Sequence, residues 1–423
     1  MSDDQTADRA ESLAKPPSRP VPADLLAGLS VAMVLVPQSM AYAELAGLPS
    51  HLGLFASALP PIMAAFFASS PYLQTGPVAL TSLLTFGALA GLAEVGTPDY
   101  VAMAALLALL VGVSRLLLGV FRLGVVTYLM RDPVVTGFTS AAAILSLASQ
   151  PPKALGAAAP AGGVLWRAGW SLGHLDQWEV ASVVIAATTV LLVLAGRQVI
   201  HRLFPGALLA VVGGVVISRI VDYAGPVVGQ VPTGLPDLSL DLPWGSTGTL
   251  LVGGVLIALV GYAEPASIAR VFAEEDGQRW SADREFVSQG VANVAAAVSG
   301  AFPVGGSFSR SSLNRLTGAQ TRWSGLVTGA AVLAFLPFAD VLAPLPQATL
   351  GGVVIAAVVG LVRPVALVSM VRRSPAAALV AWSTFFATLA LAPRVEQGVL
   401  VGILLSLAVG LRTRRTTRRP EVR

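Results

Sequence analysis

Arg310 asks for an explanation before any other residue in this 423-residue chain. It lies in FPVGGSFSRSSLN (Phe302–Asn314), a short polar stretch inside strongly hydrophobic sequence. A charge at the centre of a membrane-spanning helix costs about 2.5–3.5 kcal/mol on insertion scales. A second interruption, TGPVALTSLL (Thr75–Leu84), occupies a matching place in the first half. Each puts Gly, Pro or Ser where a helix must begin at membrane depth. Such a start leaves backbone N–H groups unmet unless protein, water or a ligand meets them. A helix N-terminus is equivalent to about half a positive charge. Two aimed at one cavity supply about one unit with several donors, which suits an anion. Gly76, Gly305 and Gly306 let the backbone approach closely, and Pro77 fits the first turn of a helix. The plain alternative is two loop connectors. Paired interruptions in matching positions point instead to a transport site near the midplane.

Other polar residues converge on the same reading. Ser307 and Ser309 offer hydroxyls as ligands or as helix caps. Glu264, in GYAEPAS, stands towards the end of an apolar stretch, where an acid should be paired or protonated part of the time. It is the candidate for proton coupling; a fixed ion pair, with Arg310 as its partner, is the equal alternative. Glu44, near the end of the first span, is a weaker candidate. Gln38 and Tyr42 are four apart and share a helix face, one turn from a carbonyl that Pro37 leaves free. They would orient a substrate oxygen, or simply pack. Thr81 and Ser82 could line the cavity or bond their own backbone.

The elements that must position these residues are membrane helices. Hydrophobic residues make up 55% of the chain and charged residues 12%, about half the charge of a soluble domain. Mean hydropathy is +0.75. With no Cys, disulfides and Cys metal sites are excluded, and His51, His174 and His201 are too scattered to form a metal motif. At about 20 apolar residues per span, candidate segments fall near 24–45, 51–68, 76–94, 98–119, 132–150, 177–196, 203–221, 247–269, 284–300, 306–318, 322–339, 348–361, 375–392 and 396–412. The third and tenth follow the interruptions and should be half-helices. The expected fold is therefore an all-α polytopic membrane protein of about 14 segments.

Basic residues give an orientation. The C-terminal RTRRTTRRPEVR is Arg-rich and should be cytoplasmic, and an even span count puts the N-terminus on the same side. Connections then expected to be cytoplasmic carry Arg197, Arg202, Arg270, Arg279, Arg284, Arg363, Arg372 and Arg373, whereas the stretch from Asp222 to Leu250 has no Lys or Arg. The segment 270–285 reads as a solvated loop. The chain divides into a polar N-terminal segment (1–22), a seven-segment repeat (23–222), a Pro- and Gly-rich connection (223–246), a second seven-segment repeat (247–412) and a basic tail (413–423). Odd numbers of spans per half make the two repeats inverted.

The first span and its sequel carry Pro37-Gln38, Ala41-Tyr42-Ala43, Ala46-Gly47-Leu48-Pro49, Gly53-Leu54, Ser69-Ser70 and Gly76-Pro77-Val78-Ala79. The second half adds Ala263-Glu264, Ser267-Ile268-Ala269-Arg270, Gln289-Gly290, Asn293 and FPVGGSFSRSSLN. Together these motifs closely resemble the SulP sulfate permeases, also called solute carrier family 26, from about Asp24 to Leu411. The resemblance implies two inverted seven-segment repeats, split into a core domain (segments one to four and eight to eleven) and a gate domain (five to seven and twelve to fourteen). It implies carriage of anions such as sulfate, bicarbonate, chloride, oxalate or dicarboxylates. Most members continue into a cytoplasmic STAS domain. This chain stops about a dozen residues after the last segment: either it lacks that domain naturally or it is truncated, and the abrupt Arg-rich end favours truncation.

The reading is thus a secondary transporter of small anions, of the sulfate, bicarbonate or dicarboxylate class, in the inner (plasma) membrane. Its substrate-binding set is Gln38, Tyr42, Gly76, Pro77, Val78, Ala79, Gly306, Ser307, Phe308, Ser309 and Arg310, with Glu264 for proton coupling. An inside-negative potential opposes each uncompensated negative charge by about 2.3 kcal/mol per 100 mV, which accompanying protons would cancel. No Walker motif is present, so ATP is not the driver. No cofactor, metal or nucleic acid is implied, and a homodimer is open. Anion exchange and sodium-coupled symport are the alternatives, followed by an anion channel. A nucleobase permease would favour paired carboxylates over Arg310. A membrane-embedded enzyme would need clustered acids or His, which are not seen.

Overall fold

The computed structural model describes residues 19–124, 132–200 and 204–417. The polar N-terminal segment through residue 18, His201 and Arg202, and residues 418–423 of the basic tail lie outside the described residues.

Seventeen α-helices run through the described residues: α1 Pro22–Leu45, α2 His51–Phe67, α3 Ala79–Leu89, α4 Pro98–Val120, α5 Asp132–Ala148, α6 Pro151–Leu155, α7 Val164–Gly173, α8 Val180–Ala195, α9 Gly206–Ile220, α10 Thr247–Glu275, α11 Ala282–Val298, α12 Phe308–Leu316, α13 Trp323–Phe335, α14 Gln347–Val358, α15 Pro364–Arg373, α16 Pro375–Ala390 and α17 Val395–Thr417. Each of the fourteen predicted stretches overlaps one of them. The short α6 and α7 and the amphipathic α15 fall in expected connections, where apolar length alone gives no signal. α10 also continues past its predicted end, so the expected loop 270–285 narrows to the residues between Glu275 and Ala282. Among the described residues, six helical stretches are long and apolar enough to cross a membrane.

Helix starts obey local chemistry. Thr97, Ser281, Ser307 and Ser374 each accept a hydrogen bond from the backbone N–H three residues on, capping α4, α11, α12 and α16. Pro98 and Pro375 occupy the first turn of their helices, where the missing N–H costs nothing. The outward faces are apolar: Leu26, Val180, Leu191 and Leu404 are among the most exposed side chains. In water such a surface would drive association, whereas in lipid it is the required exterior.

The two halves of the chain interleave. α11 packs against α4 and α2, α13 against α2 and α1, and α10 against α4 and α3. A second group gathers α16 with α5 and α17, and α14 with α8 and α9. The groups meet where α14 and α9 touch α1, and where α17 and α5 touch α3.

An all-helical reading missed one element. The two interruptions pair as a short antiparallel ribbon, β1 (Thr75–Gly76) with β2 (Gly305–Gly306), in the register Thr75 opposite Gly306 and Gly76 opposite Gly305. The ribbon lets two stretches of non-helical backbone satisfy each other at depth. It also moves the start of α3. Pro77 is not in the first turn; the helix begins at Ala79 after the cap residue Val78, because Thr75 and Gly76 are held extended in the ribbon. α12 likewise begins at Phe308, after Ser307.

Candidate anion site

Both half-helices start within three residues of the ribbon, so their N-termini are fixed by the same few bonds. Ser307 N–H donates to the Gln74 carbonyl at 3.1 Å, extending the pairing by a step. Gln74 N–H donates to Ser311 Oγ at 2.9 Å. Two glycines make the close approach possible. At Gly76, φ is 157°, a value L side chains rarely adopt, and an added Cβ would lie 3.5 Å from Arg310 Nη2. At Gly306 it would meet Leu73 Cδ1 at 2.7 Å and Pro265 Cβ at 3.1 Å.

Arg310 projects from the first turn of α12 towards the first interruption and is fully buried. Its Nη1 reaches Gln38 Oε1 at 3.5 Å, a weak bond. Its Nε and Nη2 have no hydrogen-bond partner among the described residues. Glu264 is an electrostatic neighbour, beyond ion-pair distance, and a buried guanidinium with idle donors is costly. A group left in this condition requires an explanation, such as strain, an ordered water or a bound ion. Tyr42, also buried, is an electrostatic neighbour of the guanidinium.

Glu264 is not ion-paired with Arg310; no bridge between them is formed among the described residues. Instead its Oε1 accepts the Phe308 N–H at 3.4 Å, at the very start of α12. The carboxylate therefore sits on one of the free donors that would otherwise face an anion. Ser307 Oγ caps the Arg310 N–H at 3.5 Å and lies 3.3 Å from Ser309 Oγ. Phe308 and Ser309 are exposed, while Val78 and Ala79 are buried beside the ribbon. Of the remaining candidates, Thr81 Oγ1 bonds its own backbone at Val78. Glu44 is occupied by Lys153, whose Nζ lies 2.5 Å from its Oε2.

Two sets of supporting residues were given no site role in the sequence, although Ser69, Ser70, Gln289 and Asn293 belong to its family motifs. The first is a ladder on one face of α11. Glu285 Oε2 accepts the Ser69 and Ser70 N–H groups at 3.1 and 2.9 Å. Gln289 Nε2 donates to Thr75 Oγ1 at 2.7 Å. Asn293 bonds Val304 twice, Nδ2 to its carbonyl at 3.1 Å and Oδ1 to its N–H at 3.0 Å. One helix thus grips both interruptions. Its signal was available: buried polar residues four apart on an apolar helix. The second is Arg115 on α4, fully buried. It donates to the carbonyls of Val304 (2.9 Å), Ala258 (3.2 Å) and Ile257 (3.3 Å). Its signal is a cation in the apolar run VGVSRLLLG, like that of Arg310. Among the described residues no group of His, Cys, Asp or Glu could hold a metal ion.

Two broken helices joined tip to tip, with a half-satisfied buried arginine at the junction, define a polytopic membrane protein with a polar site inside its helical core. The chain belongs to the sulfate permease family, whose sequence profile matches residues 22–384. It is 34% identical over 394 residues to the chloroplastic sulfate transporter 4.1 of Arabidopsis thaliana, covering 91% of this chain and 57% of that protein. The chain thus spans little more than half the length of that relative. Its fold is that of two solved structures. The transmembrane domain of the cyanobacterial bicarbonate transporter BicA superposes with a TM-score of 0.77 at 22% identity, over 93% of this chain and 99% of that one. The murine solute carrier 26 family member A9 anion transporter, inward-facing, gives 0.84 at 23% identity, over 94% and 69%.

Proposed function

We propose that the protein is a secondary transporter of small anions, with a substrate site between the N-termini of α3 and α12. The observation that carries this is Arg310, fully buried between the two half-helix tips, with Nε and Nη2 unpartnered among the described residues. An oxyanion such as sulfate, bicarbonate or a carboxylate would take those donors and the backbone N–H groups of both tips. Gln38, Tyr42, Ser307, Phe308 and Ser309 would complete the pocket, and Gly76, Pro77, Val78, Ala79 and Gly306 would form its walls.

Coupling to protons follows from Glu264. While ionised, it holds the Phe308 N–H and repels an incoming anion. Protonation removes the charge and frees the donor, so proton and anion enter together. The fourteen predicted segments would form two inverted repeats, 23–222 and 247–412. The group of α1–α4 with α10–α13 would be the core domain, and the group of α5, α8, α9, α14, α16 and α17 the gate. Alternating access would move the core, with its ribbon, against the gate. We place the termini in the cytoplasm, from the excess of Arg on that side of the chain.

The test is uptake into proteoliposomes of labelled sulfate, bicarbonate, chloride and C4-dicarboxylates, with and without an inward proton gradient. Saturable uptake raised by the gradient in wild type, and made insensitive to it by Glu264→Gln, is expected. Uptake that needs an anion on the opposite side and ignores the gradient would replace symport with exchange. No uptake of any of the four would overturn the assignment.

A further inference from the structure

An open groove of about 590 Å³ lies between the C-terminal ends of α2 and α4 and the start of α11. Phe66, Phe67, Val120, Arg122, Asp283 and Arg284 contribute to its walls. Phe66, Phe67 and Val120 are exposed, as are both arginines. Three helix ends meet at this groove. Exposed aromatic and aliphatic side chains suit acyl chains, and guanidiniums suit phosphates.

Among the described residues no ion pair involves Arg122 or Arg284, although Glu285 is an electrostatic neighbour of Arg284. Arg284 spends only its Nε, on the Phe67 carbonyl at 3.0 Å, which fixes the side chain beside the groove. The neighbouring acids are engaged with backbone: Asp283 Oδ1 accepts the Gly124 N–H at 2.7 Å, and Glu285 Oε2 holds Ser69 and Ser70.

Arg122 is also held in a backbone conformation that its residue type disfavours. Leu123 N–H donates to the Leu118 carbonyl at 2.8 Å and Arg122 N–H to Gly119 at 3.2 Å, the bond pattern of a Schellman helix stop. Its left-handed position, usually Gly, is Arg122 here, at φ 56°. A strained residue where glycine would be easier points to a use for its side chain.

We propose that this groove binds the headgroup of an anionic phospholipid, with Arg122 and Arg284 on its phosphate and the acyl chains along Phe66, Phe67 and Val120. The proposal rests on the protein's place in a membrane and not on what it transports, so it stands or falls apart from the transport assignment. The experiment is lipid retention by the purified protein in detergent, counted by native mass spectrometry. Phosphatidylglycerol, phosphatidylcholine and glycerol 3-phosphate are supplied separately. Wild type should retain phosphatidylglycerol in preference to phosphatidylcholine, and glycerol 3-phosphate should neither bind nor compete. Arg122→Gly relieves the backbone strain, so the fold is kept while a contact is lost. Affinity should fall about fivefold for it, and roughly 25-fold for Arg122→Gly/Arg284→Gln. The control Arg363→Gln, on another part of the molecule, should leave retention unchanged. Equal retention by wild type and the double variant would overturn the proposal, as would equal retention of the two lipids. Displacement by glycerol 3-phosphate would overturn it in favour of a site for a free phosphate.

Discussion

Replacing Arg310 by Met separates a binding arginine from a structural one, because the two predict opposite changes in stability. Met fills a similar volume and carries no charge. If Arg310 serves substrate, it makes two charge-assisted bonds to an oxyanion, each contributing about 1.5–3 kcal/mol. Their loss amounts to about 3–6 kcal/mol, or a fall in apparent affinity of roughly 10²–10⁴-fold. In the absence of anion the same side chain has one bond, at 3.5 Å to Gln38. Its burial costs several kcal/mol that no ion pair among the described residues offsets, Glu264 acting only from beyond ion-pair distance. Arg310→Met should therefore leave the melting temperature in detergent unchanged or raise it, while uptake into proteoliposomes is lost. Arg310→Lys keeps the charge without the two-pronged geometry and should show a raised KM with residual transport. Thermal unfolding and initial uptake rates on the same preparations make the comparison. A melting temperature several degrees lower, with wild-type uptake of the anion, would refute the reasoning and make Arg310 a structural prop.

Three further outcomes follow from the supports of the site. Gly306→Val forces a side chain into Leu73 and Pro265, where a Cβ alone would stand 2.7 and 3.1 Å from carbon. It should cost about 1–3 kcal/mol by overpacking and abolish uptake, read by thermal unfolding and transport together. Arg115→Met removes one of the two donors on the Val304 carbonyl. Uptake should fall by about tenfold or more, as one charge-assisted bond implies; Arg115→Lys should recover part of it, and wild-type uptake by the Met variant would show that Asn293 alone holds the second interruption. Asp24 is buried and accepts from the N–H groups of Val21, Gln320 and Thr321 and from the Thr321 hydroxyl, tying the start of α1 to the loop before α13. Asp24→Ala should destabilise the protein by about 2–4 kcal/mol through the unmet donors, measured as a drop in melting temperature, with substrate KM little changed in the protein that remains folded.

Much of this protein is legible in one dimension. Helix positions are set by transfer of apolar side chains from water and by caps such as Thr97, Ser281 and Ser374, all local properties. The two interruptions are equally local: glycine, proline and serine where an apolar helix should continue, with an unexplained arginine four residues on. The family motifs could be read from the same strings. What those strings do not contain is partner choice. Gln289 meets Thr75 across 214 positions, and Arg115 meets Val304 across 189. The spacing of Glu285, Gln289 and Asn293 announces a polar face but not what it holds.

Three decisions belong to the tertiary structure alone. Thr75–Gly76 and Gly305–Gly306 satisfy their backbone groups on each other, which shifted the start of α3 past Pro77. Glu264 caps Phe308 rather than pairing with Arg310, because the first free N–H of α12 lies within its reach. Arg310 keeps two donors idle. Composition and periodicity fix which residues leave water, since that free energy is summed residue by residue. Which buried polar groups meet, and which are left for a ligand, depends on ångström-scale geometry between segments that only the packed helices bring together.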